Sequence, residues 1–115
     1  EQELVRFHAA ADWFIHPALH DPSPLVVIEA MNAGLPMAVS ITTGNCPEVV
    51  VPEKNGFAFD STNPEAVRAA LQRIVNTPPD QRAVYAAASA VYSIARFDPD
   101  RICENFYRGM MALKP

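Results

Sequence analysis

Three short, mostly apolar runs, DWFIHP (residues 12–17), PMAVSI (36–41) and NGFAFD (55–60), are separated by segments whose apolar residues recur at helical spacing. This alternation is the strongest constraint on the fold. Strands joined through helices pair in parallel, because a tight turn can join only antiparallel neighbours. The runs lack the in–out polarity of a half-solvated sheet, so both faces are expected to be covered. An α/β chain built on a parallel sheet follows. Three strands are few for such a sheet, and the first run would normally have a neighbour on each side. One neighbour is missing, which reads as part of a larger body.

The helices have recognisable starts and stops. Leu4, Val5, His8 and Ala9 mark a helix over about residues 2–10. In HDPSPLVVIEAMNAGLP (20–36), Ser23 is placed to cap a helix and Pro24 suits its first turn, where a missing N–H costs nothing. Gly34 is placed as the residue past its end, and Pro36 prevents continuation. TTGNCPEVV (42–50) reads as a polar turn and short helix, with Asn45 and Glu48 at capping-box spacing. Asn63-Pro64-Glu65 opens the next helix, whose stripe of Val67, Ala70, Leu71, Ile74 and Val75 ends at NTPPD. Residues 80–95 and about 99–112 read as two more helices. No repeat or low-complexity tract occurs.

Composition narrows the function classes. At 115 residues, half of them apolar, the chain is at most one domain and can bury a core. A net charge of −4 without a Lys/Arg cluster gives no phosphate-tracking stripe, so nucleic acid is not an expected partner. Cys46 and Cys103 stand far apart, outside any zinc or redox spacing, and a reducing compartment is the default. No run approaches the roughly 20 apolar residues of a membrane span. The N-terminus opens on acidic residues without signal-peptide character, and its abrupt start suggests a piece of a longer chain.

Within the helix after Pro24, Glu29 and Asn32 are the polar residues between Leu25 and Ala33, three apart on one narrow face. A helix otherwise apolar all round is expected to be buried, and a buried carboxylate needs a partner. That partner is an Arg or an amide, or solvent along the stripe, or else the paired hydroxyls of a ligand diol. The helix start offers free amides at Leu25, Val26 and Val27 with the positive dipole end, an anion site. A phosphate there and a ribose at Glu29 would describe a nucleotide. Asp21, eight positions before Glu29, either accepts hydroxyls beyond the phosphates or bonds its own backbone ahead of Pro22.

Taken together, ADWFIHPALHDPSPLVVIEAMNAGLPMAVSITTGNCPEVVVPEKNGFAFDSTNPEAVRAAL resembles the nucleotide-sugar-binding part of GT-B glycosyltransferases, in particular the retaining family 4 group with its Glu-x7-Glu motif. The likeness spans roughly residues 8–75, with several motifs in order. It implies a Rossmann-like parallel sheet with helices on both faces, the C-terminal half of the donor-binding C-terminal domain. It implies transfer of a sugar from a nucleotide-diphosphate donor to an acceptor hydroxyl on a glycan, lipid or small molecule, with retention and without cofactor or obligatory metal.

Carried over by residue, Glu29 holds the donor ribose, and Asp21 matches the first Glu of the motif, one methylene shorter, and holds hydroxyls near the reacting carbon. Ser23, Pro24, Leu25 and Val26 form the turn facing the diphosphate. Thr43, Gly44 and Asn45 match a glycine-rich turn whose usual second glycine is Asn45. Basic groups for the leaving diphosphate and the acceptor pocket would come from earlier residues and a separate N-terminal domain, leaving this chain alone catalytically silent. A non-catalytic nucleotide-binding scaffold and a sugar-nucleotide epimerase remain alternatives.

The remaining residues read as structural. His16 and His20 flank the loop after the first strand without an orienting carboxylate motif, Cys46 is a buried filler, and Glu48 caps its helix. Met110 and Met111 suit packing against an absent neighbour, and the alanines of 86–90 allow close helix packing. The unpaired sheet edge could pair with a second copy. The expected location is cytoplasmic, or peripheral at the inner membrane face.

Overall fold

The computed structural model describes residues 2–113. In chain order the elements are α1 (Gln2–Ala10), β1 (Phe14–His16), α2 (Leu25–Asn32), β2 (Met37–Ser40), α3 (Cys46–Val49), β3 (Gly56–Phe59), α4 (Pro64–Asn76), α5 (Pro79–Phe97) and α6 (Pro99–Ala112). The three strands form a parallel sheet in the order β1-β2-β3, as the alternating pattern requires. Ile15 lies opposite Ala38, and Ala38 opposite Phe57.

Successive β2 residues serve opposite cores, because side chains alternate across a strand. Met37 and Val39 join Val27, Ala30 and Met31 of α2 and Cys46 and Val49 of α3, with Tyr92 and Phe97 of α5 packed alongside. Ala38 joins Phe57, Phe59 and Ala70 on the other face, with Trp13, Val67 and Ile74 against them. Both faces are therefore covered, as expected.

Helix α2 ends as its glycine indicates. Gly34 takes φ 73°, a left-handed backbone that disfavours a side chain. Its N–H reaches the Met31 carbonyl at 3.0 Å, and the Leu35 N–H reaches back to Ala30 at 3.2 Å. This is a Schellman closure, and Ala30 and Leu35 share a core cluster across it. Ser89 Oγ donates to the Leu35 carbonyl at 2.7 Å, so α5 satisfies a buried acceptor just beyond the turn. A Cβ on Gly34 would meet Ala86 and Ala90 at ordinary contact distance, so the small residues of α5 do bring it close to α2.

Several expectations need correction. Ser23 does not cap α2: Pro24 is the N-cap residue, in extended backbone, and no side chain caps the first turn. Proline has no N–H to hold in the turn, and its fixed φ suits the extended entry position equally well. The Asn45–Glu48 capping box does not form, because Asn45 makes no side-chain cap bond to α3. Nor is α2 buried all round. Val27, Ala30 and Met31 take the core, while Leu25, 71% exposed, shares an outward stripe with the exposed Glu29 and Asn32. The strand β1 keeps only the centre of the run 12–17. Asn63, by contrast, caps α4 through its side-chain oxygen, which accepts from the Glu65 and Ala66 amides. Helix α6 has no buried residue, and the molecule extends 56 × 28 × 27 Å.

A charged latch ties the turn before β3 to α4 and α5. Glu53, at φ 61°, accepts from Arg73 at 2.6 Å, and Arg73 lies 4.2 Å over the Phe57 ring. The Arg73 hydrogen bond holds the Glu53 carboxyl below the ordinary carboxylate range. The stabilisation is therefore present above that range and is lost as pH falls through the lowered folded value. Both side chains are well exposed, so the effect is small.

Two outcomes follow in denaturant unfolding. Met31→Ala removes a fully buried side chain and lowers stability by about 2–5 kcal/mol, whereas Leu25→Ala changes it by less than about 1 kcal/mol. Glu53→Gln weakens the loss of stability as pH drops below about 4.

Candidate functional site

The loop after β1 and the turn after β2 leave the same end of the sheet, because the strands are parallel. Strand C-terminal ends are where ligands bind in open α/β sheets. Here the two segments are stitched together. Asp21 and Thr43 form an isolated parallel bridge, and the Gly44 N–H donates to the Asp21 carbonyl at 2.8 Å. Asn45, the N-cap residue of α3, turns its side chain to the neighbouring loop, where Nδ2 donates to the Pro24 carbonyl at 3.2 Å. Thr42 Oγ1 donates to the Ala18 carbonyl at 2.6 Å and lies 2.6 Å from Ser40 Oγ. Gly44 is required by proximity: a Cβ there would sit 1.9 Å from the Pro22 carbonyl oxygen.

Asp21, Pro24, Thr43, Gly44 and Asn45 are thus brought together. Ser23 and Leu25 lie exposed beside them and Val26 is half-buried. The first-turn amides of α2 carry no side-chain cap, which leaves them available to an anion. Thr43 and Asn45 are 1% and 3% exposed, yet Thr43 Oγ1 and Asn45 Oδ1 take no hydrogen bond within the described residues. Buried polar atoms are almost always bonded, so these two are exceptions, as are Trp13 Nε1, His16 Nε2 and Ser61 Oγ among the described residues.

Glu29 is placed differently. It is exposed rather than buried, and among the described residues no hydrogen bond or ion pair holds it. It lines a cavity of about 490 Å³ between α1 and α2, together with Leu4, Val5, His8, Ala9, Asn32 and Ala33. None of the Asp21 or Thr43–Asn45 group lines that space. The expected buried carboxylate becomes an open one because α2 needs only one stripe for the core.

Two residues read as structural, or passed over, join the site. His16 Nε2 lies 3.4 Å from Asp21 Oδ2, and Thr42 anchors the loop at Ala18. The position of His16 at the last residue of β1 was the available signal, but a contact across the four intervening residues has no periodicity to betray it. His20 is exposed and touches none of these groups. Cys46 is buried, and burial raises its thiol pKa, which suits a filler rather than a nucleophile. The described residues contain no cluster of three His, Cys, Asp or Glu able to hold a metal.

The parallel sheet and the two docked turns at its C-terminal edge define an α/β unit of the GT-B glycosyltransferase kind. The backbone superposes on sucrose-phosphate synthase from Thermosynechococcus elongatus with a TM-score of 0.81 and 27% identity, over 98% of this chain and 29% of that one. The model of the family glycosyl transferases group 1 matches residues 1–91, and the chain belongs to that family. It is 33% identical over 100 residues to D-inositol 3-phosphate glycosyltransferase of Streptomyces griseus, covering 76% of this chain and 21% of that protein. It is 30% identical over 73 residues to an uncharacterized glycosyltransferase of Methanocaldococcus jannaschii, covering 64% of this chain and 18% of that protein. The chain thus spans about a fifth of the length of these curated relatives.

Gly44→Ala forces the two turns apart and lowers stability by about 1–3 kcal/mol, with lost protection of the Gly44 amide in hydrogen exchange. Asn45→Ala, which removes one bond to Pro24, lowers stability by about 0.5–1.5 kcal/mol in the same unfolding assay.

Proposed function

We propose that this chain is the donor-binding portion of a retaining glycosyltransferase that moves a sugar from a nucleotide-diphosphate donor to an acceptor hydroxyl. The observation that carries the reading is the docking of the Asp21 loop on the Thr43–Asn45 turn, beside the uncapped start of α2. In this reading the diphosphate lies against the amides of Leu25 and Val26, entered through Ser23 and Pro24. Those amides stabilise the charge that grows on the leaving group, a role backbone N–H groups perform without a metal.

Asp21 accepts hydroxyl hydrogens of the transferred sugar, next to the reacting carbon. Thr43 and Asn45 supply the polar atoms that take no protein partner. Glu29 accepts the ribose diol from its own cavity, whose volume of about 490 Å³ suits a nucleoside. The acceptor site and further basic groups for the diphosphate belong to other residues of the full-length protein. The described residues contain no helix long and apolar enough to cross a membrane.

The test is calorimetric and kinetic. The 115-residue chain is expected to bind nucleoside diphosphates weakly and to turn over no nucleotide sugar. In the full-length protein, Asp21→Asn lowers kcat about 100-fold or more, whereas Glu29→Gln chiefly raises KM for the donor, about tenfold. NMR of the product anomer reports retention. Equal turnover by the isolated chain, or indifference of the full-length protein to both substitutions, overturns the reading.

A further inference from the structure

We propose that His16 is a positioning residue for Asp21, fixing its carboxylate for the donor sugar; the inference rests on the donor-site reading above. The backbone of Asp21 is held from one side, where its carbonyl accepts from Gly44 at 2.8 Å and its bridge joins it to Thr43. The side chain is short, takes no part in that backbone docking, and is 34% exposed. Something must fix its rotation, or each sugar hydroxyl would have to immobilise it anew.

The imidazole of His16 is in place to do so. Nε2 lies 3.4 Å from Asp21 Oδ2, the His16 side chain is 17% exposed, and Nε2 has no hydrogen-bond partner among the described residues, which leaves its polar capacity free for that carboxylate. The ring is itself fixed. It stacks on Phe14 at 6.1 Å with an interplanar angle of 8°, and His16 pairs with Val39 in the sheet register. The chain of support therefore runs from the sheet to a partly open carboxylate. An aspartate reaches one methylene less far than a glutamate. Clamping one of its oxygens from behind leaves the other for the sugar at little further loss of freedom.

This arrangement assigns His16 an effect on the sugar rather than on the nucleotide. The readout is the affinity of the full-length protein for a nucleotide sugar relative to its bare nucleoside diphosphate, measured by calorimetry with three probe pairs: UDP and UDP-glucose, ADP and ADP-glucose, GDP and GDP-mannose. In the pair the protein recognises, His16→Leu lowers that ratio about tenfold and leaves nucleoside diphosphate affinity within about threefold. His16→Gln, which keeps an N–H donor on the side chain, restores most of the ratio. In an Asp21→Ala background, His16→Leu produces no further change in it.

Equal weakening of both ligands by His16→Leu, or failure of His16→Gln to restore the ratio while the protein remains folded, overturns the positioning role and leaves the donor site standing. So does a full effect of His16→Leu in the Asp21→Ala background. Absence of binding to all three pairs by the unsubstituted protein overturns the donor reading itself, and the role of His16 with it.

Discussion

Met37, Ala38, Val39 and Ser40 have no exposed surface, and the rest of the molecule is arranged around that fact. A strand buried on both faces needs two hydrogen-bonded neighbours and two apolar covers. β1 and β3 supply the neighbours, α2, α3 and α5 one cover, and α4 the other. Each apolar residue of β2 contributes on the order of 1 kcal/mol or more to holding those layers in place. The strand is four residues long, so there is little room for register error. A slip of one position would send Met37 and Val39 to the face built for Ala38.

The site inherits its geometry from this strand. Because β2 and β1 run parallel, the segments that follow them emerge side by side and can bond directly. Gly44 is the residue at which that approach becomes closest, where even one carbon would strike the Pro22 carbonyl. Backbone-to-backbone docking of this kind places a loop carboxylate more precisely than side-chain contacts alone, since amide groups have no rotamers to lose. The ring of His16, stacked on Phe14, lies 3.4 Å from the Asp21 carboxylate.

Helix α2 shows how far apolar content can mislead. Its sequence is rich enough in apolar residues to suggest burial on every side, yet an eight-residue helix against one sheet face has only one stripe to spend on the core. Leu25, Glu29 and Asn32 fall outside that stripe and face outward. The carboxylate that seemed to need a buried partner is simply open, beside a cavity shared with α1. Capping was equally local in appearance and tertiary in fact. Asn45 lies at the right spacing to cap α3, but the Pro24 carbonyl offers its amide a partner from another part of the chain.

The sequence by itself determined the parallel α/β plan, the order of elements and the end of α2. Those follow from strand-length apolar runs, helical periodicity and a glycine where the backbone must turn left-handed, all of which are local. Its motif pattern also resembled one family, and the structure sets two of the segments that carry the likeness, at Asp21 and Gly44, side by side. Only the tertiary structure decided that Glu29 faces out, that the Asn45 side chain bonds Pro24, and that His16 lies 3.4 Å from Asp21. Each of these depends on which groups the crossing of strands brings within a few ångströms, and no spacing along a single chain encodes that distance.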